Sequence, residues 1–189
     1  MKELICVLIS VVVFGYAYNL YQNRGLTMVK SSDNEKEYLV RDLDDKLDAA
    51  NYLASISDSL IKLVKHVSND TREGVDQLVK NFDNENIKEN IPGSEHTAYS
   101  VNKGEELVLC IRNVSDNSFI DKNTVLFVAI HELAHIMTDE IGHTDKFWNN
   151  MEYLITKASE INIYNPIDYS QSPTDYCGQE INTTPYKFT

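Results

Sequence analysis

The residues best suited to chemistry lie together at His131-Glu132-Leu133-Ala134-His135, and a third histidine, His143, follows eight positions later. Positions i and i+4 of a helix share a face, so His131 and His135 can offer two imidazoles to one ion. Glu132 sits beside them and can reach a water held by that ion. This H-E-x-x-H spacing predicts Zn²⁺ as the cofactor and hydrolysis of an amide bond as the reaction. Gly142 precedes His143, and glycine permits the sharp turn that returns the chain to the ion. Three protein ligands, His131, His135 and His143, leave one position for water, which is the catalytic rather than the structural zinc pattern. Glu132 is then the general base: it accepts the water proton and later passes it to the leaving amine. The competing reading is a core helix with two satisfied histidines and a surface glutamate, with His143 merely opening the next helix. Asp139, Glu140 and Asp145 are candidates to orient a ligand histidine, or else solvated charges near a helix end.

The stretch His131 to Trp148, HELAHIMTDEIGHTDKFW, resembles the WLM and SprT-like group of zincin metallopeptidases. The resemblance is carried by the motif, the downstream histidine and the aromatic pair Phe147-Trp148. It is closest to the WLM-like metallopeptidases of large DNA viruses, through Tyr38-Leu39-Val40-Arg41, Ala49-Ala50-Asn51, Tyr99-Ser100-Val101-Asn102-Lys103-Gly104 and Tyr176-Cys177-Gly178. Together these segments span about residues 37–186. The resemblance implies an α+β, zincin-like metallopeptidase domain, with a small antiparallel sheet packed on the HExxH helix and further helices. It also implies that the strand before the motif helix lies along the cleft, and Leu107–Ile111 is assigned to that role. Protein or peptide is the implied substrate, and virion or capsid components are possible partners. Two further readings come with the resemblance: a virion-associated structural protein on a peptidase scaffold, and a repair protease for DNA–protein crosslinks.

The net charge of −12 bears on the last of these. Phosphate neutralisation supplies most nucleic-acid affinity and leaves a basic footprint, so nucleic acid is an unfavoured partner here. The N-terminus points elsewhere. Leu4 to Leu20 is an uncharged run of seventeen residues, about 25 Å as a helix and at the short end of a membrane span. The weak positive region before it and the lack of a small-residue cleavage site favour an uncleaved anchor over a signal peptide or a buried helix. The expected organisation is therefore a single-pass membrane anchor over residues 1–24, contacting the bilayer through 4–21, and one domain over 25–189.

Within that domain, residues 25–96 form a mainly helical front part, 97–161 hold a hairpin and the active-site helices, and 162–189 form an irregular tail. A hairpin is expected from Thr27–Ser31 and Glu37–Arg41, and a long helix from Asp44 to His66, whose apolar positions recur near 3.6 residues. A shorter helix is expected near Arg72–Phe82. The polar stretch Asn84–Glu95, with Pro92-Gly93, reads as a loop. Thr97–Val101 and Glu106–Asn113 read as paired strands, and Asn123–Glu140 and Thr144–Ile161 as helices. The stripe Phe147, Trp148, Met151, Leu154, Ile155 and Ala158 reads as core packing. His66 reads as a surface residue, and His96 has no ligand spacing to the motif. Tyr176 is a candidate oxyanion donor that the sequence alone does not assign. Three cysteines make no disulfide framework; Cys110 reads as a buried thiol, and its pairing with Cys177 is left open.

Overall fold

A computed structural model describes residues 23–188 together with residues 7, 9 and 11–15. Two strands, β1 (Leu26–Lys30) and β2 (Glu37–Arg41), form the expected antiparallel hairpin. The long helix follows as α1 (Lys46–Val67), and the short one as α2 (Val75–Asn81). Next come β3 (Ile87–Glu89), β4 (Ala98–Val101) and β5 (Glu106–Leu109). The motif helix is α3 (Lys122–Met137), and the last helix is α4 (Asp145–Glu160). A second hairpin, β6 (Thr174–Tyr176) and β7 (Gln179–Ile181), lies in the tail expected to be irregular.

The main sheet has the order β1-β2-β3-β5-β4 and is mixed, not antiparallel as expected. β3 runs parallel to both β2 and β5. It lies inside the segment read as a loop, because its residues Ile-Lys-Glu carry no apolar alternation. All three are nonetheless buried. The order also corrects the assignment of Leu107–Ile111 to the cleft: β5 is interior, and the edge strand is β4.

The expected transmembrane helix and membrane location are corrected as well. Among the described residues no helix is long and apolar enough to cross a membrane. A span needs about 17–25 apolar residues in one helix, and the Leu4–Leu20 run only reaches the bottom of that range. Residues 7, 9 and 11–15 of the run are helical and exposed. The rest of it lies outside the described residues.

The core forms where α1 lies against β1–β3 and α3 against β4 and β5, with α4 packed on both helices. α1 buries Leu53, Ile56, Leu60, Leu63 and Val67, which keeps one stripe of the helix dry. α3 is apolar nearly all round and is buried on most of its faces. Its first turn is capped by Asp121, whose carboxylate accepts from the N–H groups of Asn123 and Thr124. Thr144 caps α4 in the same way through the N–H of Phe147.

One buried ionic network joins the elements that local packing leaves apart. Arg112, 2% exposed, donates to Glu89 at 2.8 Å and forks onto Asp45 at 2.6 and 2.8 Å. The other Glu89 oxygen accepts the N–H of Arg41 at 2.8 Å. The start of α1, strands β2 and β3 and the chain after β5 therefore meet at one guanidinium. Removing one partner of such a network leaves a buried charge uncompensated. Arg112→Met is expected to destabilise the fold by about 3–5 kcal/mol, read by urea denaturation. A loss under 1 kcal/mol would show that water reaches Glu89.

Cys110 and Cys177 are joined as a disulfide across 67 positions, so the buried-thiol reading of Cys110 is corrected. Closing a loop of that length stabilises by about 4 kcal/mol if the effect is entropic. Cys177→Ser, or reduction, is expected to lower stability by up to about that amount. Identical urea midpoints with and without reductant would contradict it.

Candidate active site

Helix α3 brings His131 and His135 to one face, and the loop from Thr138 to Thr144 returns His143 to them. The return depends on Gly142, whose φ of +85° is a left-handed conformation that a side chain would strain. The lower end of α3 is held from both sides. The Lys103 ammonium donates to the carbonyls of Thr138 at 2.5 Å and Glu140 at 3.0 Å, satisfying acceptors that the helix end leaves open. Thr138 in turn accepts from Asn150 of α4 at 3.0 Å, and Arg72 donates to Asn150. On the opposite side α2 presses close: a Cβ on Gly74 would fall 2.2 Å from the Met137 carbonyl oxygen.

The three imidazoles converge through their Nε2 atoms. His131 and His135 are 3.2 Å apart, His135 and His143 are 3.2 Å apart, and His131 and His143 are 3.0 Å apart. A neutral imidazole has a single N–H, so three nitrogens facing one another cannot all be satisfied among themselves. Nitrogens about 2.0–2.1 Å from a tetrahedral zinc lie roughly 3.3–3.4 Å apart, close to the observed triangle. The donor set therefore fits a metal ion, and these three side chains could hold one. Phe147 backs all three rings, with centroid distances of 4.8, 4.3 and 4.7 Å to His131, His135 and His143.

Burial sets the protonation of the group. It drives His131 down to about 3 and His135 to about 4, and the neighbouring imidazoles add to both effects. Both rings are thus neutral at pH 7, the form in which imidazole has a lone pair for a metal. The Glu132 carboxyl is pushed up to about 7, first by burial, against the opposing hydrogen bonds from Ser100. Ser100 belongs to the edge strand β4, and both its N–H and its hydroxyl donate to Glu132. A proton acceptor near neutrality is thereby fixed beside the histidines.

Some expected residues are not brought in. Asp139 pairs with Lys146 at 2.8 Å instead of facing a histidine. The Glu140 carbonyl, rather than its carboxylate, makes the contact described above. His66 meets Glu160 at the surface, as expected. The sequence missed Ser100 and His96. His96 lines the cleft with His131 and Glu132, although it stands outside the nitrogen cluster. The only signal for Ser100 was the Tyr99–Gly104 segment that carried the family resemblance. The α4 stripe proves double-sided in use: Phe147 and Met151 are buried, whereas Trp148 is 36% exposed and lines the cleft. Tyr176 places its ring in the same wall, and burial raises its phenol.

An α+β domain with a histidine triad and a buried glutamate in one cleft defines a metallopeptidase-like class. The sequence matches the WLM domain over residues 33–185, and the chain belongs to the WLM-domain family. It is 31% identical over 188 residues to uncharacterized protein R325 of Acanthamoeba polyphaga mimivirus, covering 94% of this chain and 93% of that protein. It is 33% identical over 97 residues to uncharacterized protein 136R of Invertebrate iridescent virus 6, covering 50% of this chain and 54% of that one. Among solved structures, Wss1 from Saccharomyces cerevisiae has the same fold, with a TM-score of 0.51 and 24% identity over 65% of this chain and 86% of its own. The resemblance read from the motif region to viral WLM-like proteins is thus a family membership.

The raised Glu132 carboxyl has a consequence for stability in protein stripped of metal. A carboxyl whose folded pKa lies above its unfolded value destabilises the fold as pH rises past about 4.5, and the loss is complete above about 7. Glu132→Gln is therefore expected to be the more stable protein at pH 8, by up to about 3 kcal/mol, with the gain vanishing at pH 4. Denaturant midpoints of both proteins at the two pH values measure it. An equal gain at both would place its source outside the carboxylate.

Proposed function

We propose that this protein is a zinc metallopeptidase that hydrolyses peptide bonds with water. His131, His135 and His143 are the metal ligands and Glu132 is the general base. The observation that carries the reading is the convergence of three Nε2 atoms, each pair within 3.2 Å, beside a buried carboxyl pushed up to about 7. Zn²⁺, when bound, supplies a lowered pKa for water and polarises the substrate carbonyl.

The chain's own residues do the rest. Ser100 holds the Glu132 carboxylate in one orientation, facing the cleft that His131 also lines. Glu132 takes the proton from the attacking water and delivers it to the amine that leaves. Phe147 closes the space behind the imidazoles and keeps water from that side of the ligands. The substrate class is protein or peptide, and the net charge of −12 disfavours nucleic acid.

Purified protein is expected to hold one zinc per chain by elemental mass spectrometry. His143→Ala should lose or greatly weaken it. Glu132→Gln should keep both zinc and fold, while hydrolysis of an unstructured protein such as casein drops at least about 100-fold. Full activity in Glu132→Gln would overturn the assignment of the base. Unchanged zinc in His143→Ala would overturn that of the third ligand.

A further inference from the structure

The cleft has two lobes that meet at His96, Ala98, His131, Glu132 and His143. One is the more open, running past Tyr99, Ser100, Asn102 and Lys103 to Ile141. The other is a cavity of about 290 Å³ whose apolar side is formed by Phe127 and Val128 from α3, Trp148 and Met151 from α4, and Tyr176 and Ile181 from the β6–β7 hairpin, with Gln179, Glu180 and Thr183 on its polar rim. Phe127, Met151 and Tyr176 are each at most 5% exposed and form its floor, while Trp148 and Ile181 stand at its mouth. The hairpin that completes it is fastened at its turn by the Cys110–Cys177 disulfide.

We propose that this apolar lobe is a side-chain pocket that makes the protein select peptides with a bulky apolar residue next to the bond held at Glu132. Trp148 and Ile181 determine the choice. The inference rests on the peptidase reading for the position of that bond. The cavity begins at His131 and Glu132, so a residue adjoining the reacting carbonyl is the part of a peptide that reaches it. Its volume lies at the lower edge of small-ligand pockets, enough for one large side chain and too small for a helix or a second folded chain. Its wall offers dispersion and burial, and the exposed Glu180 at the rim repels an acidic residue.

Trp148 is the single tryptophan of the sequence and reports occupancy directly. The test uses the full chain carrying Glu132→Gln, loaded with zinc, and capped hexapeptides that differ only at one central position: Phe, Leu, Ala or Asp. The Phe and Leu peptides are expected to shift Trp148 emission and to bind at least about 10-fold tighter than the Ala and Asp peptides. Adding Ile181→Asp should abolish that preference while leaving zinc content unchanged. Equal binding of all four peptides, no binding of any, or a preference that survives Ile181→Asp would each overturn the pocket. Casein cleavage by the Glu132 protein is measured beside it. Cleavage without discrimination overturns the pocket alone, whereas discrimination without cleavage supports the pocket and overturns the peptidase.

Discussion

Three polar side chains have to be carried on a helix that is buried on nearly every face, and the rest of the structure is arranged around that desolvation. His131, Glu132 and His135 share one strip of α3, while Ile130, Leu133, Ala134, Ile136 and Met137 fill the remainder. Burial is the main cause that keeps the two imidazoles neutral and draws the carboxyl towards its protonated form. Glu132 has a structured partner in Ser100, while the three imidazole nitrogens face one another and fit a metal ion. Edge strand β4, helix α4 and the loop through Gly142 supply those partners from three directions.

That dependence explains why elements far from the histidines matter to them. β4 can meet Glu132 only because β5 separates it from β3, and β3 joins the sheet only by burying Lys88 and Glu89. Glu89 is bearable there because Arg112 and the Arg41 N–H satisfy it. A line of cause therefore runs from an ionic network at the start of α1, through a mixed sheet, to the position of one serine hydroxyl.

Much of this was legible in the sequence wherever the signal is local. The H-E-x-x-H spacing, the glycine before His143, the 3.6-residue periodicity of α1 and the turn of the first hairpin each sit within a few consecutive residues. What was not legible depends on partners distant in sequence. β3 reads as a polar loop because its burial is paid for by Arg112, 23 positions after Glu89. The interior place of β5 follows from parallel pairings that leave no alternation of their own. The N-terminal apolar run looked like an anchor on composition and length, yet among the described residues no helix is long and apolar enough to cross a membrane. The pairing of Cys110 with Cys177 has no signature in the spacing at all. The tail looked irregular because its two strands are three residues each and rich in polar groups.

The same disulfide gives the molecule a second kind of continuity. It closes a ring that contains α3, the loop to His143 and α4, and the most exposed large apolar side chain of that ring is Ile141, at 93%. A backbone cut at Ile141 falls inside the ring. Both pieces would remain one covalent molecule, with the hairpin still pinned to the sheet end beside Cys110. Backbone scission next to the histidines therefore does not by itself separate the halves of the protein; that takes a reductant as well.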